Sequence, residues 1–190
     1  DELVAIAFAV ETKVEGVTDA SEALTHFFFD RLRVMMREAG YSAQEVDAVL
    51  AKHDTDLAQT PKKLAAVHKF MQLPESASLA AANKRIANIL KKSADVQTGE
   101  VDDALLVEEA EKKLYDVLGD HEPIAKLFFE KGEYEGMLAT LTPLKDPVDA
   151  FFADVMVNSE DEKLRLNRLA LLKRLYALMN RVAELSRLAI

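Results

Sequence analysis

Apolar residues recur along the chain at the three- and four-residue spacing that puts them on one side of an α-helix, broken only where its few glycines and prolines fall. No stretch alternates as a half-buried strand does. The expected class is therefore all-α, a helical bundle of about nine or ten helices. The pattern predicts helices over residues 3–14, 21–39, 43–52, 61–73, 77–93, 104–118, 122–131, 133–141, 147–157 and 160–188. Ser42 with Glu45 and Ser159 with Glu162 mark two starts as capping boxes. Thr60-Pro61 and Asp146-Pro147 mark two more, with proline at the first helical position, where its missing N–H would be unbonded anyway. The most polar connection is SADVQTGEVD, residues 93–102. A boundary near Pro74 or in that loop divides the chain into a helical segment over 1–76 and a helical bundle over 77–190. No internal repeat or low-complexity segment is present.

Two of the predicted helices combine an apolar stripe with a cationic outer face. In LAAANKRIANILKKS, residues 79–93, Leu79, Ala82, Ile86, Ile89 and Leu90 form the stripe, and Lys84, Arg85, Asn88, Lys91 and Lys92 occupy the other side. Asn83 lies at the stripe's edge, where its amide is expected to cap or brace a neighbouring backbone. In the last helix Leu164, Leu171, Leu175, Leu178, Val182 and Leu185 keep one stripe, widened by Leu169, Leu172, Tyr176 and Met179, which implies burial among several helices. Arg165, Asn167 and Arg168 crowd its first turns, and Lys173, Arg174, Asn180, Arg181 and Arg187 continue the polar side. Arg168 stands where the stripe would take a leucine; a snorkelling arginine and a ligand-facing one both fit that position.

Charge sharpens this pattern. The formal net charge is -9, yet residues 61–93 carry 7 basic and 1 acidic side chains and residues 164–190 carry 6 and 1. The flanking segments are acidic: 5 basic against 12 acidic over 1–60, and 6 against 19 over 94–163. Two cationic segments set in an anionic frame suit a polyanion site on a body that repels polyanions elsewhere, and equally suit solvated helix faces. Lysines supply point charges for phosphates, while arginine and asparagine offer planar donor sets that read bases. On chemistry alone, RNA binding and an ordinary helical scaffold both remain open.

Other chemistries find little support. The chain has no cysteine, which excludes disulfides and thiolate metal sites and suits a reducing compartment, so a cytoplasmic location is expected. Its opening, DELVAIAFAVETKVEG, lacks a basic n-region and a cleavage pattern, and no apolar run is long enough to span a membrane. The absence of a starting Met is expected of a piece of a longer protein. The glycines of EKGEYEGML lack the Lys-Ser/Thr of a phosphate-binding loop, and no GxSxG is present. His53-Asp54, with His26 upstream, faintly matches the ligands of HD-type metal phosphohydrolases; helix capping in a solvated loop is the commoner origin of such a dipeptide. Phe27 to Phe29, Phe128-Phe129 and Phe151-Phe152 are expected to fill core contacts, since adjacent helical residues point about 100° apart.

LAAANKRIANILKKS, together with VDAFFADVMVNSEDEKLRLNRLALLKRL downstream and FFFDRLRVMMREAGYSAQEVDAVLA upstream, resembles the C-terminal part of the bacterial glycyl-tRNA synthetase beta-subunit family. The resemblance implies a DALR-type helical anticodon-binding bundle in the C-terminal part, with the helices of 1–76 joining it to the body of the subunit. It implies a non-catalytic role within a glycine-tRNA ligase: glycine tRNA held at its anticodon region as partner, and an alpha2beta2 assembly whose alpha chains hold ATP and Mg. No cofactor is expected in this stretch. Which residues touch tRNA follows from side-chain chemistry: the candidates are Lys84, Arg85, Asn88, Lys91, Lys92, Arg165, Asn167, Arg168, Arg174 and Arg181. A helical protein-interaction scaffold and, remotely, an HD-type fragment stand as alternatives.

Overall fold

The computed structural model describes residues 21–53 and 56–189. Among these the regular structure is helical throughout, with no strand. The α-helices are α1 (Ser21–Glu38), α2 (Ala43–Leu50), α3 (Thr60–Phe70), α4 (Ser76–Lys92), α5 (Glu109–Glu130), α6 (Tyr134–Ala139), α7 (Lys145–Asp154) and α8 (Glu162–Met179). Short 3-10 turns lie at Leu57–Gln59, Asp103–Leu105, Thr142–Leu144 and Leu185–Leu188.

The all-α class holds, and the count of nine or ten helices does not: the described residues contain eight. The predicted helix over 3–14 falls outside them. The two expected over 104–118 and 122–131 are one, because α5 runs unbroken through Pro123. A proline inside a helix forfeits the bond to the carbonyl four residues back, here that of Gly119. The last helix ends at Met179 and not at 188. Asn180 is buried there, its amide donating to the Tyr176 carbonyl at 2.9 Å and its Oδ1 accepting from the Leu185 N–H at 2.8 Å, so it closes a tight turn instead of extending the polar face.

Caps explain the starts. Ser42 and Glu45 form the expected reciprocal box: the Glu45 N–H donates to Ser42 Oγ at 3.2 Å, and the Ser42 N–H donates to Glu45 Oε2 at 2.7 Å. Pro61 opens α3 as expected. α8 is capped by Asp161, which accepts from the N–H groups of Lys163 and Leu164; the predicted cap, Ser159, instead accepts from the Asp161 N–H. α7 begins two residues before Pro147, led in by the 3-10 turn Thr142–Leu144.

One apolar cluster runs from α2 to the C-terminal turn. Leu79, Ala82 and Ile86 of α4 are buried, with Ile89 and Leu90 packed at the margin, and Leu171, Leu175, Leu178, Val182 and Leu185 are buried as the last stripe predicts. Each large aliphatic side chain enclosed this way contributes about 1.5–3 kcal/mol. α4 packs against α7, α8 and the turn Leu185–Leu188, and α5 packs against α6, α7 and α8. The Glu184 N–H donates to the Ala48 carbonyl at 2.8 Å, which ties α2 to that C-terminal turn. The packing leaves one long side of α4 facing water.

Candidate nucleic-acid interface

That side carries the predicted basic residues. Lys84, Arg85, Asn88, Lys91 and Lys92 are all exposed, and none has a hydrogen bond or ion pair to the described residues. Positions 84, 88, 91 and 92 follow one face at i, i+4, i+7 and i+8, with 85 beside them, so the strip is about 12 Å long at 1.5 Å per residue. Lys91 and Lys92 fill the last turn, where they also complement the helix dipole. Asn83 departs from expectation. It is fully buried and its amide has no hydrogen-bond partner among the described residues, so it braces no backbone.

The cations of α8 are mostly occupied internally. Asn167 is buried; its Oδ1 accepts from the Asp102 N–H at 2.8 Å and its Nδ2 donates to the Asp102 carbonyl at 2.9 Å, pinning the loop before α5. Arg168 is buried too, donating through Nε to Glu111 at 2.7 Å and through Nη1 to the Met156 carbonyl at 2.8 Å. Glu111 in turn accepts from the N–H groups of Val107 and Glu108. The two open readings of Arg168 thus give way to a third, an internal ion pair in which both oxygens of the carboxylate accept hydrogen bonds. Arg174 forks onto Glu122 at 2.8 and 3.0 Å and lies over the Tyr115 ring, and Arg181 lies over the Phe129 ring. Arg165 is half-buried, with Glu162 at 3.8 Å and Nε unpartnered. Asn167 and Arg168 are thus buried and bonded within the fold, whereas the sequence reading placed them among the residues that approach a base. Lys173 is exposed on α8. It lines both a cleft of about 190 Å³ reaching Leu90 and Ser93 at the end of α4 and one of about 540 Å³ bounded by Tyr115, Glu122 and Arg174.

Residues 79–185, which hold this strip and the helices behind it, match the family model of the DALR anticodon binding domain. The chain belongs to the DALR anticodon-binding family. It is also similar to the glycine–tRNA ligase beta subunit of Leptothrix cholodnii, 55% identical over 95% of this chain and 25% of that protein. The beta subunits of Dechloromonas aromatica, 50% identical over 100% of this chain and 26% of that one, and of Methylobacillus flagellatus, 54% identical over 90% and 24%, are alike. The chain thus spans about a quarter of the length of these relatives.

Some features of the chain were hidden from the sequence. The Phe151-Phe152 doublet splits: Phe151 is fully buried, and Phe152, about 100° around α7, lies half-exposed with the Arg85 guanidinium 4.1 Å from its ring centre. Phe27 and Phe28 are 62% and 52% exposed, against the expectation that they fill a core. In the HD-like pattern, His26 is exposed on α1 and the His53 ring packs against Phe29, while Asp54 lies outside the described residues. His53 adopts φ 48°, the left-handed conformation common just past a helix end. Among the described residues no group of three or more metal-ligating side chains converges, and no helix is long and apolar enough to cross a membrane.

Proposed function

We propose that this DALR domain holds the anticodon region of a glycine tRNA as part of a glycine–tRNA ligase beta subunit, with α4 as its RNA-facing wall. The observation that carries the reading is the unpaired basic strip of Lys84, Arg85, Asn88, Lys91 and Lys92 on an acidic domain of anticodon-binding family. Lys84, Lys91, Lys92 and Lys173 attract phosphates; Arg85 and Asn88 approach bases. Arg168, Asn167 and Arg174 serve by fixing α8 against α5 and the loop that walls the Lys173 cleft. Joining of glycine to tRNA takes place on alpha chains of a cytoplasmic alpha2beta2 enzyme, which hold ATP and Mg.

Residues up to about 76 form the joint to the rest of the beta subunit. In support, α1 turns Phe29, Leu32 and Met36 inward and leaves Leu24, Phe27, Phe28, Val34 and Met35 exposed on its other side, an apolar stripe of the kind that proteins cover with protein. Nuclease footprinting of glycine tRNA with this chain tests the central reading. Protection confined to the anticodon stem-loop is expected; protection of the acceptor stem alone, or none, refutes it.

A further inference from the structure

Beside the lysine strip, α4 and α7 enclose a shallow groove of about 400 Å³ whose chemistry differs from that of a phosphate track. Arg85 forms one wall. Its guanidinium lies 4.1 Å from the centre of the Phe152 ring, and none of its five N–H donors is bonded to the described residues. Asp149 stands on the other wall, held by the Ser78 hydroxyl, which donates at 3.0 and 3.2 Å, and by Lys145 Nζ at 3.2 Å. The floor is made of small side chains, Ala81, Ala82 and Ala153, which leave the space open. A planar donor fork backed by an aromatic ring, opposite a fixed carboxylate acceptor, is poorly used on phosphate, which the carboxylate repels. It suits a flat ring with both acceptors and a donor on its edge.

We propose that this groove seats one unstacked base of the bound RNA, lying in the plane of the Arg85 guanidinium with its edge shared between Arg85 and Asp149. The proposal rests on the RNA-binding reading above and names a specificity site within it. An amine-bearing base fits, cytosine foremost: its amino group donates to Asp149 while its adjacent ring acceptors receive the guanidinium N–H groups. Uracil, with a carbonyl where cytosine has the amine, sets an acceptor against the carboxylate. Phe152 is a positioning residue that keeps the guanidinium flat, and Ser78 with Lys145 positions the carboxylate.

Fluorescence anisotropy of this chain with glycine tRNA, and with short oligocytidylate and oligouridylate, tests it. Wild-type protein is expected to prefer the cytidine oligomer by about tenfold. Asp149→Asn, which keeps the shape but offers an amine in place of one acceptor oxygen, is expected to abolish that preference. Arg85→Lys keeps the charge and loses the plane, and is expected to lower tRNA affinity about tenfold with an unchanged salt response. Melting temperatures equal to wild type establish that both surface variants are folded. If both retain wild-type affinity and preference while wild-type protein binds tRNA, the base seat is wrong and the RNA reading survives. If wild-type protein binds no glycine tRNA, both fall.

Discussion

At the scale of single residues, the polar groups that matter most to the fold are those withdrawn from water. Arg168 and Glu111 are both nearly inaccessible and mutually bonded, so Arg168→Ala strands a buried carboxylate and is expected to cost about 3–5 kcal/mol, read as a lowered denaturant midpoint. Asn83 is the opposite case: its buried amide is unbonded, so Asn83→Leu is expected to leave the midpoint unchanged or raise it by up to about 1 kcal/mol of stability, whereas a clear loss contradicts this account. Burial raises the pKa of Glu45, but the N–H and hydroxyl of Ser42 and the His68 ring outweigh it, and the net shift is downward. A carboxylate with a depressed folded pKa adds stability above its unfolded value, near 4.3, that disappears as pH falls through the folded value. Chemical denaturation across that acid window should show Glu45→Gln losing less stability on acidification than wild type does. Which of the cations reach the surface was not legible in the sequence. Arg168 and Lys173 share one helix and one charge, and only the position of Glu111, 57 residues away, removes the first from the surface.

At the scale of elements, periodicity carried most of the reading because an apolar stripe records which side a helix buries. The stripes of α4 and of the last helix were placed correctly from their leucines and isoleucines. Ends were less legible, since Pro123 reads as a break and Asn180 as a surface residue until their partners are known. α6 meets α5 closely at Gly136, where an added Cβ would lie 2.9 Å from the Phe128 ring. Gly→Ala inside a helix ordinarily stabilises by roughly 0.5–1 kcal/mol. Here the ring must give way, and Gly136→Ala is expected instead to lower the melting temperature by a few degrees, corresponding to about 1 kcal/mol. A rise would mean that Phe128, which is only half-buried, swings aside freely.

At the scale of the whole molecule, an acidic body carries an unneutralised cationic strip on α4. The charge tally along the sequence suggested two such walls, and folding leaves that of α4 the more open: Arg168 and Arg174 pair with Glu111 and Glu122 and Arg181 lies over the Phe129 ring, whereas the lysines of α4 meet no acid among the described residues. Linear charge counts cannot make that distinction, because the neutralising acids lie on another helix. On the proposed reading, the surrounding net negative charge steers RNA to the strip by repelling it elsewhere, and phosphate contacts there make binding sensitive to salt. The most direct test is to measure glycine-tRNA affinity from low to moderate salt for wild-type protein and for the triple variant Lys84→Ala, Lys91→Ala, Lys92→Ala, whose exposed sites leave the fold intact. The account predicts a steep wild-type loss of affinity with salt and a slope shallower by about 2–3 in the variant, with weaker binding at every salt concentration. Equal slopes and equal affinities for the two folded proteins would contradict it.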